Sequence, residues 1–295
     1  MTMYDEILAL VQIDVGNRGL ARDPAENLVT ATAGDFAAAC ASIAGHPAPR
    51  VGIVTGFMIP SAEPPTGETD GPLGAILLAE AFSRLGIPVV VASDAAGFDA
   101  LKLGTTLRAL TGVPVIDLRT QDFLSAAGPL THLIALERSG PGYDGANRTM
   151  RGRDITPLTW PAQQFFEGPR DYVTVGIGDG GNEIGMGKIP RDVIARNILN
   201  GELVACRTAT DHLIVCGISN WGAFALAAGV MWAKGVVAAD VFDVDRERDL
   251  LERLVKEAPL VDGVTGQFTA TVDGVPFERY AVPIRQLRDL LTASL

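Results

Sequence analysis

Six short apolar runs punctuate the first two-thirds of the chain, and polar, glycine-rich segments follow most of them. The runs are Val51–Phe57, Val89–Ala92, Val113–Ile116, His132–Leu136, Tyr172–Ile177 and His212–Cys216. Each is short and apolar at successive positions, the pattern of a strand buried on both faces. Helix-like segments such as Leu73–Leu85 and Asp99–Leu110 lie between them. The alternation predicts an α/β fold: a mainly parallel sheet covered by helices on both faces. Two helices, Asp5–Val15 and an alanine-rich one from Pro24 to Ala44, are expected ahead of the first strand. The apolar stretch Trp221–Ala233 is too short for a membrane span and reads as a buried helix. From about Asp262 the rhythm changes. Val264–Val272, the Asp273-Gly274 turn and Val275–Tyr280 predict a β-hairpin, and Pro283–Leu291 a closing helix. No linker-like tract divides the chain, so one domain over residues 1–295 is expected, with residues 1–45 packing on the α/β core.

Composition narrows the class. A hydrophobic content of 47% excludes a disordered chain. With 24 basic and 35 acidic residues the net charge is −11, which argues against nucleic acid or an anionic membrane as partner. Three cysteines without CxxC spacing sit among apolar or small neighbours and read as buried free thiols. The start carries Asp5 and Glu6 in place of a basic leader, so a cytoplasmic location is expected. Apolar helices such as Trp221–Ala233 leave room for a homo-oligomer interface.

Candidate chemistry gathers after the strands, where parallel sheets bind ligands. Glu68 and Asp70 lie between prolines and glycines after the first run; Asp70 also suits an N-cap for the helix behind Pro72. The fourth run is followed by Glu137, Arg138 and a glycine-rich stretch holding Arg148, Arg151 and Arg153. Arg138 and Arg151 suit bidentate recognition of a substrate carboxylate, or equally a salt-bridge network pinning the loop. The densest feature follows the fifth run: Gly176-Ile177-Gly178-Asp179-Gly180-Gly181-Asn182-Glu183. Its Gly-x-Gly-x-x-Gly spacing lacks the context of a dinucleotide fingerprint, and Lys188 is followed by isoleucine, so no nucleotide cofactor is expected. Asp179, Asn182 and Glu183, with Glu68, supply hard oxygen donors for Mn²⁺, Mg²⁺ or Ca²⁺, or for a substrate ammonium. Ser219 or Asn220 suits the N-cap of the apolar helix after the sixth run. Zinc-type histidine spacings are absent, and His212 reads as structural.

The strings PPTGETDGPLGA (from Pro64), ERSGPGYDG (from Glu137), MRGRDI (from Met150), GIGDGGNEIGMGK (from Gly176) and TDHLIVCGISNWG (from Thr210) resemble the C-terminal domain of the D-glutamate cyclase family, over roughly Val51 to Gly266. The resemblance implies a carbon–oxygen hydro-lyase that converts D-glutamate to 5-oxo-D-proline and water on a metal-binding α/β scaffold. It also implies an additional N-terminal hydro-lyase-like domain in longer members. Lactam formation needs a base for the amine, polarisation of the γ-carboxylate and protonation of the leaving oxygen. Asp179, Glu183 and Glu68 are the expected catalytic groups. Arg138, Arg151, Asp70, Gly180, Gly181, Ser219 and Asn220 are the expected substrate contacts. A metal-dependent hydrolase or isomerase of another small acid, or a non-catalytic metal- or metabolite-binding module, would use the same acidic loops. All three readings require Glu68, Asp179 and Glu183 to meet in one cleft.

Overall fold

The structure, a computed structural model, describes residues 2–293. The chain opens with α1 (Met3–Val11), α2 (Leu28–Ala31) and α3 (Asp35–Gly45), then enters β1 (Val51–Thr55). A small pair, β2 (Met58–Ile59) and β3 (Thr66–Gly67), precedes α4 (Pro72–Arg84), β4 (Val89–Ser93), α5 (Phe98–Leu107), β5 (Val115–Asp117) and α6 (Phe123–Ala127). After β6 (His132–Leu136) a long irregular segment leads to β7 (Val173–Gly178), α7 (Arg191–Asn197) and α8 (Gly201–Val204). Then come β8 (His212–Val215), α9 (Ser219–Lys234) and α10 (Val244–Glu257). A hairpin of β9 (Thr271–Val272) and β10 (Val275–Pro276), with α11 (Phe277–Tyr280) and α12 (Val282–Ala293), ends the described chain.

The six apolar runs form one parallel sheet in the order β5-β4-β1-β6-β7-β8. From β1 the chain builds outward through β4 and β5, returns to the other side of β1 as β6, and builds outward again. The order therefore reverses between β1 and β6. Side chains alternate across the sheet: Val51, Ile53, Val175 and Ile177 pack toward α1, α3, α4, α9 and α12. Val54, Val90 and Leu133 face α6 and the irregular segment around Phe165. Leu213 and Val215 face α7 and α8. The central helix is α9, buried from Ser219 to Met231 and closed by Gly235 in the left-handed region at φ 63°. No helix among the described residues is long and apolar enough to cross a membrane.

Several boundaries depart from the sequence pattern for local reasons. The first helix begins earlier, because Thr2 and Asp5 form a capping box ahead of Met3. The expected helix Pro24–Ala44 is two helices: Asn27 caps Leu28 through a reciprocal bond with Thr30, and Gly34 at φ 89° breaks the backbone before Asp35. β1 stops at Thr55 because Gly56, at φ 109°, turns the chain away. The C-terminal hairpin is present but has only two residues in each strand, joined through Asp273 (φ 54°) and Gly274 (φ 73°).

Candidate active site

The carboxyl ends of β1, β6 and β7 carry polar residues toward one cavity, of about 230 Å³, at the reversal of strand order. Glu68 arrives on the β1–α4 connection. Its N–H donates to Phe57 O at 3.2 Å, and on either side Gly67 and Thr69 exchange backbone bonds with Val261. The Glu68 side chain lines the cavity, is 5% exposed, and makes no hydrogen bond among the described residues. It also packs tightly: a Cβ on Gly263 would stand 1.7 Å from Glu68 Oε2. Burial, and then the charges of Glu137, Asp273 and Asp70, push the Glu68 carboxyl well above the usual range.

Glu137 follows β6 directly. Its N–H continues the ladder to Ile177 O, and its backbone is left-handed at φ 42°, a conformation a glutamate adopts only when its surroundings enforce it. Ser219 Oγ donates to Glu137 Oε2 at 2.5 Å. Burial and the neighbouring Glu183 and Asp70 raise the Glu137 carboxyl well above its ordinary range.

Asp70 and Asn220 cap each other's helices. Asp70 accepts the Ser219 N–H at 2.8 Å and the Asn220 N–H at 2.7 Å, at the start of α9. Asn220 Oδ1 in turn accepts the Gly71 N–H at 2.9 Å and the Gly74 N–H at 2.7 Å, at the start of α4. Neither residue caps its own helix, as the local sequence suggested: Gly71 and Ile218 occupy those cap positions without a side-chain bond. Burial, then repulsion from Asp273, pushes Asp70 up to about 7 against the pull of these amides.

The glycine-rich loop after β7 closes around its own glutamate. Glu183 accepts the N–H groups of Asp179 (3.0 Å), Gly180 (2.7 Å) and Gly181 (2.7 Å). Gly180 and Gly181 therefore donate inward to Glu183, and Glu183 shapes the loop. Asn182 Nδ2 donates to Arg148 O, which ties this loop to the arginine-rich one. Asp179 reaches the cavity and meets a cation that the local motifs did not reveal. Arg18, from the loop after α1, donates to Asp179 Oδ2 at 2.6 Å and to Asp273 Oδ2 at 2.9 Å.

The structure thus brings Glu68, Asp179, Asn182, Glu183 and Arg151 around one cavity. Asp70 stands beside it: oxygens of Asp70, Glu137 and Asp179 lie within 4.8 Å of one another, a hard donor set that suits a divalent cation. Gly180, Gly181, Ser219 and Asn220 are not among the cavity's lining residues. Nor is Arg138, which is wholly buried and donates to Gly56 O (3.0 Å), Asp94 (2.6 Å) and Trp160 O (2.5 Å). Its guanidinium joins loops rather than facing the cavity. Arg151 sits at the exposed rim with Arg153 and donates to Val264 O. Arg18, Glu137, Arg153 and Asp273 are the charged cavity residues that the sequence reading did not select. Asp273 looked like a turn residue and Arg18 sits in no motif, whereas Glu137 had a visible signal as a carboxylate at a strand end.

The chain is 28% identical to human (Homo sapiens) D-glutamate cyclase, mitochondrial, over 98% of its own length and 52% of the relative's. It therefore spans about half the length of that curated relative. The family model described as D-glutamate cyclase-like, C-terminal, matches residues 7–288, which include Arg18 and Asp273 as well as the glycine-rich loops. The chain belongs to the D-glutamate cyclase-like, C-terminal family.

Proposed function

We propose that this protein interconverts D-glutamate and 5-oxo-D-proline plus water, as a carbon–oxygen hydro-lyase. The observation that carries the reading is the cavity itself: buried carboxyls from separate loops face one another, and three of them, Glu68, Glu137 and Asp179, are held well above their ordinary range, Asp179 by burial despite the Arg18 guanidinium beside it. Cyclisation has a proton balance that suits such a cluster. The substrate ammonium must lose two protons, and the oxygen leaving the γ-carboxylate must gain two to depart as water. Closely spaced carboxyls that hold protons near neutral pH relay them from nitrogen to oxygen with no net change. Glu68, unpartnered and facing the cavity, is assigned the donation to the departing oxygen. Glu137, oriented by Ser219, is assigned the first deprotonation of the ammonium. Asp179 binds the ammonium, Glu183 holds the loop that positions Asp179, and Arg151 and Arg153 at the rim draw in a substrate with two carboxylates.

Asp70, Glu137 and Asp179 would hold a divalent cation, with Asn182 near the same loop. When bound, Mn²⁺, Mg²⁺ or Ca²⁺ there would polarise the γ-carboxylate and offset its charge. The similarity to human D-glutamate cyclase supports D-glutamate as substrate. A cytoplasmic location is supported by three unpaired, buried cysteines, which suit a reducing compartment. The test is direct. Purified protein is incubated with D- and with L-glutamate, with and without each cation, and 5-oxoproline is measured by chiral chromatography. Formation of 5-oxo-D-proline from the D-isomer supports the reading; no product under any condition, from protein that remains folded, overturns it.

A further inference from the structure

Arg18 is delivered to the cavity by a loop built for that purpose. Asp14 gathers the turn after α1, accepting the N–H groups of Arg18 (2.9 Å), Gly19 (2.8 Å) and Leu20 (3.1 Å). Gly19, at φ 98°, lies so close to Asn197 O that a Cβ would stand 2.2 Å from it. The Gly217 N–H donates to Val11 O and fixes the end of α1 against the sheet edge. From this base the Arg18 side chain, 15% exposed, reaches Asp179 on one side and Asp273 on the other. Arg18, Asp179 and Asp273 all line the cavity, so the ion pairs form part of its wall.

An ion pair in the wall of a small cavity selects its ligands by charge. A ligand with only an ammonium would take Asp179 and leave Arg18 held by Asp273 alone. A ligand with only a carboxylate would take Arg18 and leave two buried carboxylates uncompensated. A zwitterion avoids both losses, because each of its charges replaces the one it displaces. In an α-amino acid the two charged groups share one carbon and can reach both sides of a single ion pair. The unpartnered Glu68 remains in the same cavity for whatever the side chain carries.

We infer that Arg18, Asp179 and Asp273 form the head-group site for an α-amino acid, with Asp179 and Asp273 taking the ammonium and Arg18 the α-carboxylate. This rests on the reading of the cavity as a D-glutamate site and adds how the substrate is oriented there. With the head group held by these three residues, the γ-carboxylate lies toward Glu68.

Isothermal titration with three ligands tests it: D-glutamate, 4-aminobutanoate, which lacks the α-carboxylate, and glutarate, which lacks the amine. Wild-type protein is expected to prefer D-glutamate over each of the others by about 30-fold or more. Arg18→Gln should erase the preference over 4-aminobutanoate, while Arg18→Lys, which keeps a cation, should retain most of it. Asp273→Asn should weaken D-glutamate and 4-aminobutanoate together and spare glutarate. Equal wild-type affinities for the three ligands overturn the inference without recourse to any variant. So does an Arg18→Gln protein that weakens all three by one common factor, the result expected if Arg18 only ties loops together. The cyclase reading is judged apart. Arg18-dependent binding of α-amino acids without 5-oxoproline formation supports the head-group site and removes the cyclase. Turnover with a flat ligand ranking does the reverse.

Discussion

Replacing Asn220 by alanine removes the acceptor that closes the start of α4. Two buried N–H groups, of Gly71 and Gly74, lose their bonds of 2.9 and 2.7 Å, and Thr69 O loses the Asn220 Nδ2 donor at 3.2 Å. A buried donor left unsatisfied costs about 1–3 kcal/mol, and loss of an N-cap side chain about 1 kcal/mol. The Gly71 N–H keeps a second acceptor, Asp70 Oδ1 at 3.0 Å, so Gly74 is the one donor left unsatisfied and the expected loss is about 1–3 kcal/mol. Unfolding entropy near 2.1 cal/mol/K per residue gives about 0.6 kcal/mol/K for 295 residues. The melting temperature should therefore fall by about 2–5 °C in differential scanning calorimetry of metal-free protein. Asn220→Asp keeps the acceptor and should fall less, most clearly at pH 5, where added charge beside Asp70 is partly neutralised. An Asn220→Ala protein melting within about 1 °C of wild type would refute the reciprocal-cap reading.

Gly263→Ala places a Cβ 1.7 Å from Glu68 Oε2, so the carboxylate must swing aside; turnover should fall about 100-fold or more while the melting temperature changes by only a few degrees. Loss of stability without loss of turnover would show that the Glu68 position does not matter. Asp70, raised to about 7, binds its proton more tightly folded than unfolded, so stability should decline as pH rises through roughly 4 to 7. Glu68 and Glu137 act in the same direction. Melting curves from pH 5 to 8 should show that decline, and Asp70→Asn should flatten it; an unchanged slope assigns the effect elsewhere. Arg138→Ala leaves the Asp94 carboxylate buried without its cation, and a loss of about 3–5 kcal/mol is expected, with D-glutamate affinity of the folded protein unchanged within about twofold. Weaker binding with intact stability would return Arg138 to the site. Glu137→Gln should lower Mn²⁺ affinity by about tenfold or more in titration calorimetry, and unchanged affinity would remove Glu137 from the cation's ligands.

The sheet was legible because strands buried on both faces must be apolar at successive positions, and the six runs pair in one parallel sheet. The loops after those strands carried Glu68, Asp70, Asp179, Asn182 and Glu183 in visible clusters, and the sheet rule brought them to one edge. Residues supplied from outside the α/β alternation left no such trace. Arg18 comes from a loop between two N-terminal helices, and its role depends on Asp14 shaping that loop. Asp273 stands where Asp-Gly turn chemistry already accounts for an aspartate. Arg138 shows the opposite case: an arginine in the right loop whose side chain turns away from the cavity, because Asp94 and two carbonyl oxygens receive it. Asp70 and Asn220 could not be paired from sequence, since each caps a helix 146 to 150 residues away.

Oxygen exchange offers the most direct test of catalysis in this cavity. D-Glutamate is incubated with the protein in H₂¹⁸O, and each carboxylate is assayed for label by mass spectrometry. Reversible closure and hydration of the lactam should place ¹⁸O in the γ-carboxylate alone. The label should be absent with L-glutamate and should disappear in Glu68→Gln. Label in the α-carboxylate, or γ-label that persists undiminished in Glu68→Gln, would contradict the assignment of Glu68 as donor to the departing oxygen.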